Sequence, residues 1–225
     1  MGFDCVHLNL HKTFSTPHGG GGPGAGAIGC KAFLAQYLPE PVVAEKDGVY
    51  TLTRPEQSIG KVRGFWGSFN VMVRALTYLS VLGAEGAKKT SENAVLNANY
   101  LMHLLKDVYQ PAYDRTCMHE FVLSLEKLKE ESGVSAMDVA KRMIDYEMHP
   151  PTMYFPMIVH EALMFEPTET ESRATLDHAG EVLHEIYDEA VNHDLDLSKA
   201  PYMSEYSRPD EVTAARHPIL KYEHH

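Results

Sequence analysis

Cysteine is scarce in this chain: Cys5, Cys30 and Cys117 are the only three in 225 residues. They are too few and too scattered for a disulfide framework or a zinc site, and a reducing compartment fits them best. No apolar run approaches the ~20 residues that a membrane-spanning helix needs. Positive charge is also short. Twenty Lys and Arg stand against 31 Asp and Glu, a formal net charge of −11. With no basic stripe, that sign excludes a nucleic-acid surface. Lys127 and Lys129 are flanked by glutamates and read as a solvated face. Thirteen histidines are present, yet HExxH is missing and no predicted helix carries two histidines one turn apart, so no metal site is expected. His224 and His225 resemble the remains of an expression tag. The N-terminus enters a predicted strand almost at once, so no signal peptide is expected and the cytoplasm is the expected location.

Glycine is where the chain becomes unusual. Cys5–Leu8 reads as a short buried strand, Lys12 follows within the run His7–His18, and then come Gly19–Gly22, Gly24, Gly26 and Gly29. A lysine at a strand end among apolar neighbours loses its proton readily and can attack an aldehyde. Glycines behind it let the backbone approach a flat, phosphorylated ligand. The pairing suggests a Schiff-base lysine in a pyridoxal phosphate site. The same spacing also describes a solvated turn. It does not describe a P-loop, because Lys12 precedes the glycines instead of closing a G-x-x-x-x-G-K run.

The whole string is more specific than its spacing. HLNLHKTFSTPHGGGGPG resembles the cofactor-lysine segment of the glycine cleavage system P-protein family, glycine dehydrogenase (decarboxylating). Similar landmarks follow in order at 91–100, 119–121, 138–142, 149–152 and 166–169. The form with Arg63-Gly64-Phe65-Trp66-Gly67 resembles the second subunit of the two-subunit bacterial and archaeal enzyme. The resemblance implies an α/β protein: the C-terminal part of a fold-type-I pyridoxal phosphate-dependent transferase fold. Residues 1–110 would be the remnant of the cofactor-binding large domain with connector helices. Residues 111–225 would be a small α+β domain with an extended tail.

The resemblance also assigns roles. Lys12 would bond the aldehyde of pyridoxal phosphate and later move a proton. His11 and Asn9, one and three residues before it, would contact the cofactor phosphate; a packed histidine and a capping amide are the bland alternatives. Gly67 and Ser68, at a helix start, offer backbone N–H groups to an anion or form an ordinary cap. His18, His149 and Thr152 would line the glycine pocket or channel, or merely set turns and strand entry. The partners implied are glycine, a lipoyl-bearing carrier protein and subunit 1 of the same enzyme. The acidic partner of the pyridine nitrogen and the ring stacked on the cofactor belong, in this family, upstream of the lysine. This chain alone is therefore expected to have little activity, and an oligomer is expected. A non-catalytic module that assembles with a separate large domain, or another fold-type-I lyase or decarboxylase, are the alternatives.

Periodicity supplies the remaining expectations. A second strand at 27–30 and a short helix complete the first segment, and 49–53 reads as a hairpin strand. Ser68 heads a helix bearing Val71, Ala75, Tyr78, Leu79 and Leu82 that stops at Gly83; a second helix covers 84–109 with Ala94, Leu101 and Leu105 inward. Strands are predicted at 119–124, 153–155 and 162–165. Ser135 with Asp138 opens one helix as an acidic capping box. Thr168 with Glu171 opens another, with Leu176, Ala179, Leu183, Ile186 and Ala190 on one face. The first strands are read as members of a parallel sheet, and 193–225 as an irregular tail.

Overall fold

Two short segments that alternate apolar and small or polar residues pair with each other: β1 (Cys5–Asn9) and β2 (Gly26–Cys30) form an antiparallel ladder from Cys5 opposite Cys30 to Asn9 opposite Gly26. The computed structural model describes residues 2–222. Its contacts divide the chain into two units, Met1–Ala87 and Lys88–His225. The histidine pair 224–225 lies outside the described residues.

The first unit corrects the sequence reading of β1 twice. The strand pairs antiparallel, not in a parallel sheet, and it is not buried: Val6 and Leu8 are 45% and 43% exposed. Among the described residues β2 is its only partner, and a lone hairpin has no second layer to cover its apolar side chains. After the short α1 (Ala32–Ala35), β3 (Val42–Lys46) and β4 (Val49–Thr53) form a second hairpin. Asp47 and Gly48 join them at φ +52° and +76°, the two left-handed positions that make a turn match the strand twist.

The helical segment α2 (Phe69–Leu105) is broken at Gly83, at φ +62° and ψ −175°, the stop expected there. It ends at Leu105 and not at 109. The N–H groups of Val108 and Tyr109 both donate to the Leu105 carbonyl, at 3.2 and 2.9 Å, and close the last turn.

The second unit holds a four-stranded antiparallel sheet in the order β5-β6-β8-β7. Its strands are β5 (Gln110–Pro111), β6 (Phe121–Ser124), β7 (Thr152–Met153) and β8 (Ala162–Phe165). Three helices, α3 (Glu126–Ser132), α4 (Ala136–Asp145) and α5 (Arg173–Asn192), complete it with the C-terminal part of α2. Leu101, Leu105, Leu123, Met143, Leu163, Leu183 and Ile186 meet in its core. Strand β7 stops two residues short of the expected Phe155, because Tyr154 adopts φ +56° and leaves the extended region.

Ser135 and Asp138 form the expected capping box at α4. Helix α5 starts later than its sequence suggests. Ser172, not Thr168, is the cap: its side chain accepts from the Thr175 N–H at 3.1 Å. The Thr168 and Glu171 carbonyls instead accept the Asn97 amide, at 2.8 and 3.2 Å, and hold that stretch as a loop. The inward face of α5 is as expected, with Leu176, Ala179, Leu183, Ile186 and Ala190 buried. Ser172→Ala is expected to cost about 1 kcal/mol in urea unfolding. Thr168→Ala should stay within about 0.5 kcal/mol.

The tail is more structured than its sequence promised. A short 3-10 turn spans Leu197–Lys199, and α6 covers Glu211–Arg216. Between them the chain is tied to α4. Asp145 Oδ1 accepts the N–H groups of Tyr202 and Met203, both at 2.7 Å. The Arg208 guanidinium reaches Asp138 Oδ1 at 2.7 Å and also donates to the Ala200 and Leu197 carbonyls.

Candidate active site

His7 and Asn9, two apart in β1, fall on one side of the hairpin, and His11 follows in the turn after the strand. All three line a cavity of about 570 Å³ within the first unit, inside the ~300–1,000 Å³ range of small-molecule sites. His7 Nε2 and Asn9 Oδ1 are 2.6 Å apart and fix each other. Opposite Asn9, the site needs a glycine. A Cβ on Gly26 would lie 2.6 Å from His7 Cε1 and 2.8 Å from the Leu8 carbonyl, so any side chain there would displace His7. The segment Lys61–Gly67 supplies another wall, pinned where the Trp66 indole donates to the Pro41 carbonyl at 3.1 Å.

His11 is the most constrained polar group here. Its Nδ1 is buried and has no hydrogen-bond partner, and its ring meets His18 edge-to-face at 4.6 Å. Burial of the ring, then the charges on His18, Lys12 and His7, push its pKa below the usual histidine value. A neutral imidazole with one unused nitrogen results. Lys12 comes next in the chain. Its N–H donates to the Asn9 carbonyl at 3.2 Å and closes the turn out of β1. The lysine is exposed, not surrounded by apolar neighbours as its sequence context suggested. It shows no ion pair in the described residues. The loop beyond is held from α2, where Arg74 Nε donates to the Ser15 carbonyl at 2.6 Å.

The sequence-derived residues are thus partly assembled. Asn9, His11 and Gly67 line one cavity; Lys12 and His18 adjoin it through His11; Ser68 follows Gly67 and its carbonyl accepts from Met72 N–H at 3.1 Å. His149 and Thr152 belong to the second unit, where Thr152 pairs with Met164. Sequence reasoning overlooked Lys61 and Arg63 on the cavity wall and the His7–Asn9 pair. The signal for the cations was present: two positive residues bracketing Val62, next to an aromatic-glycine run, in an acidic chain.

The donor set fits part of pyridoxal phosphate. Lys12 offers an amine for the aldehyde, while His11 Nδ1, Asn9 and the two cations suit the phosphate. The one carboxylate on the cavity wall, Glu40, is already paired with Arg54 at 2.7 Å. No free acid remains in this cavity for the pyridine nitrogen.

The hairpins of the first unit and the antiparallel sheet with helices of the second make up part of a mixed α/β fold. Solved structures share it. Glycine decarboxylase (P-protein) of the glycine cleavage system, in inhibitor-bound form, superposes with a TM-score of 0.67 over 82% of this chain and 44% of that one, at 22% identity. A cysteine desulfurase from Thermococcus onnurineus gives 0.59 over 82% and 47%, at 11% identity.

The family model for the glycine dehydrogenase C-terminal domain matches residues 90–202, and the chain belongs to that family. Similar curated proteins are named probable glycine dehydrogenase (decarboxylating) subunit 2. The one from Treponema denticola is 60% identical over 99% of this chain and 46% of its own length. That from Caldanaerobacter subterraneus is 59% identical over 99% and 46%. The chain therefore spans about half the length of the curated relatives it matches.

Proposed function

We propose that this chain is the lysine-bearing part of a glycine dehydrogenase that decarboxylates glycine and passes the aminomethyl group to the lipoyl arm of a carrier protein. The observation that carries the reading is Lys12 on the turn out of β1, directly after the unpartnered His11 imidazole and beside a cavity of about 570 Å³. The relatives' names point to the same reaction. Pyridoxal phosphate, when bound, supplies an electron sink for the pair left behind by the departing carboxylate. Lys12 anchors the cofactor through its amine and holds the proton exchanged during turnover. His11 Nδ1 and Asn9 orient the phosphate end. His18 flanks His11 on its ring edge.

The partners in this reading are glycine, the lipoyl carrier and a companion subunit 1, in an oligomer in the cytoplasm. The open apolar side chains of β1 and β2 favour association. No helix among the described residues is long and apolar enough to cross a membrane. The engaged Glu40 gives the second reading its weight: a non-catalytic module completed by a separate large domain.

Borohydride reduction of the chain with pyridoxal phosphate tests the assignment. Peptide mass mapping should find one adduct, on Lys12. An adduct spread over surface lysines, with Lys12 no more labelled than the rest, would favour the module.

A further inference from the structure

Lys61 and Arg63 lie on the wall of the first-unit cavity and carry no ion pair or hydrogen bond among the described residues. Cations in a chain of formal charge −11 have many acids to choose from, and several of the other arginines have chosen one: Arg54 holds Glu40, Arg142 holds Glu189, Arg173 holds Asp177 and Arg208 holds Asp138. The Arg54–Glu40 pair also removes the one negative charge on the cavity wall. What is left facing the space is two positive charges, a histidine nitrogen with no partner and glycine backbone at Gly64 and Gly67. Lys61 and Arg63 are both exposed at the cavity wall, and such a set attracts an anion.

We propose that Lys61 and Arg63 form an oxyanion-binding pair in this cavity, taking either a phosphate monoester or a carboxylate. The choice of these two anions rests on the reading above, in which the cofactor carries one and the amino-acid substrate the other. Arg63 gives the planar, two-pronged donor that both groups accept. Lys61, one residue removed, adds a point charge that tolerates either. His11 Nδ1 is the neutral member, and its buried nitrogen gains a partner only when the space fills.

Trp66 makes the inference measurable, because it is the single tryptophan of the chain and lines the same cavity. Its fluorescence is titrated in the full 225-residue chain with glycerol phosphate in one arm and glycine in the other. Neither compound has an aldehyde, so neither bonds to Lys12. A saturable change with glycerol phosphate alone assigns the pair to the phosphate, and one with glycine alone assigns it to the carboxylate. Arg63→Gln should weaken the responding arm about tenfold or more, since a charge-assisted bidentate contact is lost. Lys61→Gln should weaken it less. Lys88→Gln, in the other unit and paired with Glu92, should leave it unchanged.

The proposal is overturned if neither anion gives a saturable response, if both cavity variants bind like the parent, or if Lys88→Gln weakens binding as much as Arg63→Gln. The two readings fail separately. A Lys12 adduct without Arg63-dependent binding sinks the anion pair alone. Arg63-dependent binding without a Lys12 adduct sinks the enzyme reading alone.

Discussion

On the function proposed above, Lys12→Ala in an assembled glycine dehydrogenase is expected to abolish glycine-dependent exchange of carbon dioxide while leaving the fold intact. The residue is exposed, and only its backbone N–H takes part in the turn out of β1. Removing its side chain should therefore change unfolding free energy by no more than about 0.5 kcal/mol. Activity should fall much further. In the proposed mechanism the same amine provides the covalent anchor and the proton relay, and loss of a positioned acid–base group alone costs about 10²–10⁴ in rate. Isotope exchange between glycine and labelled bicarbonate reads the chemistry, and the borohydride adduct reads the anchor. Exchange within tenfold of the parent in a folded Lys12→Ala protein would remove Lys12 from the mechanism.

The second large effect belongs to stability. Arg142→Met is expected to destabilise the second unit by about 3–5 kcal/mol at neutral pH, because it strands two carboxylates in a largely dry site. Arg142 holds Glu189 through two parallel contacts, Nε to Oε2 at 2.9 Å and Nη2 to Oε1 at 2.6 Å, and reaches Asp145 Oδ2 at 2.9 Å. The Asp145 side chain is only 2% exposed. Burial alone would raise its pKa, but the N–H groups of Met203 and Tyr202 and the Arg142 guanidinium outweigh that and hold it below the usual carboxylate value. A carboxyl depressed on folding contributes stability that is full above about pH 4, its unfolded pKa, and is lost as pH falls through the folded one. The gap between parent and variant should thus narrow in acid. Urea midpoints at neutral pH and near pH 3 check both statements. A gap that stays constant with pH would show that packing, not charge, is what Arg142 provides.

Much of this was legible in the sequence, for local reasons. Ser135 and Asp138 carry the two halves of a capping box three residues apart, and Arg208 takes only the Asp138 oxygen that the box leaves free. The α5 stripe repeats long enough to fix its buried face. The start of α5 was less legible. Thr168 with Glu171 fits a capping pattern better than Ser172 with Thr175, and the choice is made by Asn97, 71 residues away in the chain from Thr168. The exposure of β1 was illegible as well. Apolar alternation reports which face wants cover, not whether cover is present among these residues. The cavity was half legible: Asn9 and His11 were found from the lysine motif, and Gly67 from the helix start at Ser68. Lys61 and Arg63 were missed because their significance lies in lacking partners, which no spacing reveals.

Asp138 has a consequence that reaches beyond this fold. One oxygen closes the capping box on Ser135, through its N–H at 2.9 Å and hydroxyl at 2.6 Å, while the other takes the Arg208 guanidinium at 2.7 Å. A single carboxylate thus answers to two distant stretches of the gene. Asparagine there would keep a helix start but surrender the charge that Arg208 needs, and loss of Arg208 would leave the aspartate with half its purpose. Lineages should therefore change positions 138 and 208 together or not at all, and the order of those two substitutions would matter to any path between them.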